Sequence, residues 1–226
     1  MLNRKAKYFI FALIALLGFV PSAFPKNHKI ISETIEWTWE VKPERPQAGL
    51  PNVLLVGDSI TRNYFPAVRQ ALEAKANVYL FASSTCAGDP RLPAQLSEFF
   101  NMEGVPFRVI HFNNGMHGWG YTEAEYGSGV AELIHTLKSF ARDAALIWAN
   151  TTPVRKDNPE GATNARIKER NTIADDLARR NHIVLDDQHK LIEDSPAVYA
   201  DDVHLDTKTS ELQGEQAARL IEESLK

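Results

Sequence analysis

Four consecutive apolar residues, Val53-Leu54-Leu55-Val56, run straight into Gly57-Asp58-Ser59-Ile60. A strand with one wet face alternates apolar and polar residues. An unbroken run reads instead as a parallel strand covered on both faces. A residue just past such a strand, ahead of a helix, stands where open α/β sheets bind ligands. The pattern then repeats along the chain. A helical stretch over 66–76 precedes a second apolar run at 78–82, and a helix around 93–101 precedes a third at 108–112. A long helix over 122–141 leads to a fourth strand at 145–149, and another over 164–181 to a fifth at 183–185. A last helix covers 210–225. This alternation predicts an α/β fold of three layers, helices on both faces of a five-stranded parallel sheet. Five such strands fit the flavodoxin-like order 2-1-3-4-5.

The 226 residues suffice for one well-packed domain, and 44% hydrophobic against 24% charged residues excludes a disordered chain. The N-terminus has a different character. Arg4, Lys5 and Lys7 precede an apolar run over 8–20, broken only by Gly18 and followed by Pro21-Ser22-Ala23. Basic start, short apolar middle and small residues form the layout of a signal peptide, expected over 1–23. An uncleaved N-terminal anchor is the alternative, although the run is shorter than the ~20 residues of a spanning helix. Losing 1–23 removes three basic residues and no acid, taking the net charge from −4 to −7. A body this acidic does not suit nucleic acid as a partner. Cys86 is the only cysteine, so no intrachain disulfide can form. Export is expected, to a bacterial periplasm or beyond, with membrane contact only if the N-terminal segment is retained.

Residues 24–51 read as an extended lead-in and linker. Residues 34–41 alternate, as a strand or strap would, and place Trp37 and Trp39 on one side. Packing of the lead-in onto the domain is the favoured reading of both rings, ahead of an aromatic substrate platform. Pro43, Pro46 and Pro51 punctuate the connection to the domain at 52–226.

A serine alone after a strand is as well explained by capping the next helix. The chain also carries Asp201-Asp202-Val203-His204 near its end. A serine hydroxyl is a poor nucleophile until a base takes its proton. His204 is the candidate base, and Asp201 is placed to orient the imidazole from the same loop. Asp202 and Asp206 compete for that role.

Gly57-Asp58-Ser59 and Asp201-x-x-His204 resemble the first and last sequence blocks of the SGNH/GDSL hydrolase superfamily, with the matching alternation of elements across 52–226. The resemblance implies a flavodoxin-like sheet and a serine esterase. Such an enzyme would cleave a carboxylic ester, for example an O-acetyl group on a carbohydrate, through an acyl-enzyme. It also implies an oxyanion hole made of the Ser59 N–H, a glycine after the second strand and an asparagine after the third. Gly88 resembles that glycine. The third block departs from the family's Gly-x-Asn-Asp: here stand Asn113-Asn114-Gly115-Met116-His117, with no aspartate. Asn114 is the first candidate donor, with Asn113 behind it. His117 and Asp58 are candidates to line the pocket, His117 either as structure or in place of the missing polar support. No metal or organic cofactor is expected, because His111 and His117 lack a spaced ligand set. Cys86 reads as packing. Arg155 and Arg170 read as solvated, or as contacts to an acidic substrate. The expected partner is a small-molecule or glycan ester. The altered third block motivates the alternative of an inactive glycan-binding protein on the same fold.

Overall fold

The computed structural model describes residues 29–159 and 161–226. The signal or anchor segment expected over 1–23 lies outside them. In chain order the elements are β1 (Thr38–Val41), β2 (Asn52–Gly57), α1 (Ser59–Ala71), β3 (Asn77–Ser83), α2 (Arg91–Glu103), β4 (Val109–Phe112), α3 (Glu123–Phe140), β5 (Ala145–Ala149), α4 (Asn164–Arg180), β6 (Val184–Asp186), α5 (Gln188–Glu193) and α6 (Thr207–Ser224). The sheet order is β1-β3-β2-β4-β5-β6. Five of these strands are parallel and have the 2-1-3-4-5 order expected. The sixth, β1, corrects the strand count. It comes from the lead-in and pairs antiparallel with β3, Thr38 opposite Ser83 and Val41 opposite Leu80. It thereby covers the open backbone groups of what would otherwise be an edge strand.

The central strand explains the layering. Leu54 and Val56 of β2 point into a core with Phe81, Phe99, Phe112, Leu133 and Trp148, under α2, α3 and α4. Val53 and Leu55 point the other way, into a core with Tyr64, Val68, Ala217 and Ile221 of α1 and α6. All four β2 side chains are at most 2% exposed. The unbroken apolar run follows directly, since neither face of the strand meets water.

Helix starts follow their caps. Thr122 forms a capping box with Glu125 at α3, and Asp206 accepts from the Thr209 N–H at α6. The periodicity at 66–76 misplaced α1, which begins seven residues earlier at Ser59. Pro66 reads as a first-turn residue but sits inside the helix. The real start is set by Asp58, whose side chain accepts from the Ile60 N–H at 2.9 Å. The short α5 lacked a repeated apolar face and was not legible.

His111, considered for a metal, has another role. Its Nε2 pairs with Asp186 Oδ2 at 2.7 Å, joining β4 to β6 with both side chains fully buried. Burial works against the Asp186 charge. The His111 contact and the Gln188 and Gln216 amides outweigh it and hold the carboxyl below its ordinary range. Its stabilising contribution is therefore present at neutral pH and lost as acid protonates it. His111→Leu, which leaves that carboxylate without its main partner, is expected to lower unfolding free energy by about 3–5 kcal/mol in urea titration.

Candidate active site

Ser59 at the start of α1, the segments after β4 and β5 and the loop between α5 and α6 line a cavity of about 500 Å³, with Met116, His117, Trp119, Val203 and His204 among its residues. Ser59 is the first residue of α1, with Asp58 alone between it and the end of β2. So abrupt a junction requires glycine at position 57: an added Cβ there would lie 2.1 Å from Thr61 Oγ1. The Ser59 N–H is one of the donors a helix start leaves without an intrahelical acceptor. It makes no hydrogen bond among the described residues. Asp58 is 1% exposed, and its second oxygen, Oδ2, is buried with no partner.

The loop between α5 and α6 folds back on itself. Ala200 N–H donates to the His204 carbonyl (2.8 Å) and Asp206 N–H to the Val198 carbonyl (2.8 Å). This hairpin brings His204 Nε2 to 2.7 Å from Ser59 Oγ, across 145 positions of sequence. Asp201 Oδ2 lies 2.8 Å from His204 Nδ1, while its Oδ1 accepts from the N–H groups of Val203 and His204. Partial burial opposes the Asp201 charge, but those two N–H groups and the imidazole hold its pKa at about 2. It is a carboxylate at every ordinary assay pH. The competing aspartates are engaged elsewhere: Asp202 pairs with Arg155 at 2.6 Å, and Asp206 caps α6.

Three residues named from the sequence for an oxyanion hole have bracing contacts instead of places at this cavity. Asn114 Oδ1 accepts from the Ala87 N–H at 2.6 Å and its Nδ2 donates to the Thr85 carbonyl at 3.1 Å, tying the β4 loop to the β3 loop. Asn113 Nδ2 donates to the Ala149 carbonyl at 2.7 Å. Gly88 lines a separate cavity of about 710 Å³ with Tyr121 and Gly129.

Arg170, read from sequence as a solvated helix residue, is fully buried. Its guanidinium donates to the carbonyls of Gly115 (3.1 Å), His117 (2.8 Å) and Gly118 (3.0 Å) and stacks on Trp119 at 4.0 Å. Five donors in one plane suit this array of carbonyls. One arginine among the four of a polar helix gives no sequence signal of such a role. Gly118 completes the loop with φ +69, where a Cβ would also meet Cys86 Sγ at 2.1 Å.

The lead-in reaches the same place. The Tyr121 hydroxyl accepts from the Ile31 N–H at 2.8 Å and donates to the Lys29 carbonyl, and Glu36 forms a two-pronged pair with Arg91. Between these anchors Glu33 meets His117 Nδ1 at 2.9 Å and accepts from the Gly118 N–H at 3.0 Å. Trp37 stands edge-on to His117, and Trp37 and Trp39 both hold the Arg62 guanidinium 5.3 Å from their ring centres. The rings do face one side, and they pack the strap onto α1.

The sheet order and layering are shared with solved structures described as SGNH or G-D-S-L hydrolases. No family model and no curated protein matches the chain. Solved structures do. A lipase/acylhydrolase from Enterococcus faecalis superposes with a TM-score of 0.64 at 17% identity, covering 78% of this chain and 98% of its own. A member of the lipolytic protein G-D-S-L family from Veillonella parvula gives 0.60 at 16%, covering 75% and 97%. A carbohydrate acetylesterase from Sinorhizobium meliloti gives 0.62 at 15%, covering 76% and 98%.

Burial pushes the Cys86 thiol up to about 11, against the N–H groups of Gly88 and Asp89. It is 4% exposed. Native protein at pH 8 is therefore expected to resist iodoacetamide, and to take up one equivalent once unfolded in urea, as read by intact mass.

Proposed function

We propose that the protein is a serine ester hydrolase. The observation that carries this reading is the unbroken run Ser59 Oγ, His204, Asp201, with contacts of 2.7 and 2.8 Å, opening on a cavity. Ser59 Oγ forms a bond to the acyl carbon as its proton passes to His204 Nε2. The carbon–oxygen bond to the alcohol then breaks, and the leaving alkoxide takes that proton. Water attacks the acyl-enzyme, gives its proton to His204 and releases the acid, regenerating Ser59. Asp201 fixes the imidazole tautomer throughout. The opening is broad and bordered by Lys156, Asp157 and Asp202, which suits a small acyl group on a polar alcohol. An O-acetylated carbohydrate is the substrate class proposed, in line with the acetylesterase among the structural neighbours.

Purified protein is expected to hydrolyse p-nitrophenyl acetate, with Ser59→Ala at background. Asp201→Asn should lower kcat by about 10²–10⁴-fold, and Asp202→Ala by less than about threefold. A fluorophosphonate probe should label Ser59. Failure to label, with no turnover, would favour a glycan-binding protein instead.

We also propose that the protein is exported and cleaved near residue 23. Mass spectrometry of the extracytoplasmic product should give a mature start at residue 23 or 24. Intact Met1 in a membrane fraction would establish the anchor reading.

A further inference from the structure

Attack on an ester carbonyl creates an oxyanion that needs hydrogen-bond donors at the site where the charge develops. The Ser59 N–H at the positive end of α1 is one. Asn113, Asn114 and Gly88, the sequence candidates for the rest, are engaged with backbone or lie at another cavity. The loop after β4 nonetheless delivers a different donor. His117 lines the same cavity as Ser59 and His204.

Its ring is unusually well fixed. Nδ1 lies 2.9 and 3.1 Å from the two Glu33 oxygens, Trp37 stands edge-on at 6.1 Å, and Arg170 holds its carbonyl at 2.8 Å. The side chain is 19% exposed, and its Nε2 has no partner among the described residues. A histidine that only braced the loop would use the contact to Glu33 and need nothing further. Here a second nitrogen is kept free at the cavity that holds the serine. Burial opposes charge on this ring, but the Glu33 hydrogen bond and the charges of Asp58 and Glu33 outweigh it and raise the pKa. Glu33 is itself held below its usual range: burial opposes its charge, and the His117 contact and the Gly118 N–H overcome it. The charged groups around the ring are thus Glu33 on the strap, Asp58 at the start of α1 and Arg170 from α4. The same cavity is lined by His204, Lys156, Asp157 and Asp202.

We propose that His117, held by Glu33, is a catalytic residue that donates its Nε2–H to the oxyanion beside the Ser59 N–H. Glu33 is the positioning residue: its carboxylate pairs with Nδ1 at 2.9 Å and favours the doubly protonated ring, in which Nε2 carries a proton to donate. The assignment rests on the ester-hydrolase reading above. It makes the lead-in part of the active site, since Glu33 reaches His117 from 84 residues away in sequence.

The test uses the full chain and p-nitrophenyl acetate. Ser59→Ala comes first: activity surviving it sinks the hydrolase reading itself. With that control inactive, His117→Ala is expected to lower kcat by about 10²–10³-fold with KM changed less than about threefold. His117→Gln, a neutral donor near the same position, should recover about tenfold of that loss. Glu33→Gln keeps His117 in place and tests the charge without removing the ring. Its kcat/KM profile should lose activity at a lower pH on the alkaline side than the wild type does. A His117→Ala enzyme within fivefold of wild type, a glutamine no better than alanine, or an alkaline limb unmoved in Glu33→Gln overturns the proposal and leaves the hydrolase reading standing.

Discussion

Only Asp58 separates the end of β2 from the start of α1, and the rest of the site is arranged around that junction. There is no loop to absorb misfit. Gly57 must lack a side chain because Thr61 lies against it, and Asp58 must cap the helix because the chain has already turned. Ser59 therefore sits at a place set by the sheet core, where Val53 to Val56 are buried on both faces. The other side chains proposed for the site arrive by longer routes and are fastened by side-chain contacts. His204 comes on a hairpin, His117 on a loop pinned by Arg170, and Glu33 on a strap tied at Tyr121 and Arg91.

Those fastenings share a chemical logic. The loops at the C-terminal edge of the sheet are held by side chains bonding to backbone: Asn114 to the β3 loop, Asn113 to β5, Arg170 to three carbonyls. Irregular backbone buried against a core has no neighbouring strand or helix turn to bond with. Polar side chains with several donors stand in for one. The asparagines that the SGNH/GDSL resemblance offers as chemistry are, in this chain, part of the carpentry.

This explains what could and could not be read from residues alone. The parallel sheet was legible because burial on both faces removes polar residues from β2, and the order of helices and strands then leaves few topologies. Ser59, His204 and Asp201 could be singled out as types at the two ends of that pattern, and the fold brings the three side chains into contact. The strap was half legible: alternation at 34–41 marks a strand, but nothing local says that it pairs with β3. Glu33, Arg170 and the roles of Asn113 and Asn114 were not legible. Each acts on backbone or side chains tens of residues away, and a contact to a carbonyl leaves no trace in the partner's identity. Pro66 misled in the opposite sense, a local helix-start signal overruled by the tertiary placement of α1.

The acid and the imidazole occupy one hairpin, three residues apart, while the serine belongs to the sheet. The hairpin is fastened to the loop after β5, by Asp202 to Arg155 and by the Tyr199 hydroxyl to the Pro153 carbonyl, and it meets the sheet's serine at Ser59 Oγ. A displacement of the hairpin as a unit would stretch the serine–imidazole contact and leave the imidazole–carboxylate contact, internal to the hairpin, at its own length. On the ester-hydrolase reading, the imidazole would keep its tautomer while its reach varied, so a bulky substrate levering the hairpin outward would change how far a proton must travel without changing which nitrogen receives it.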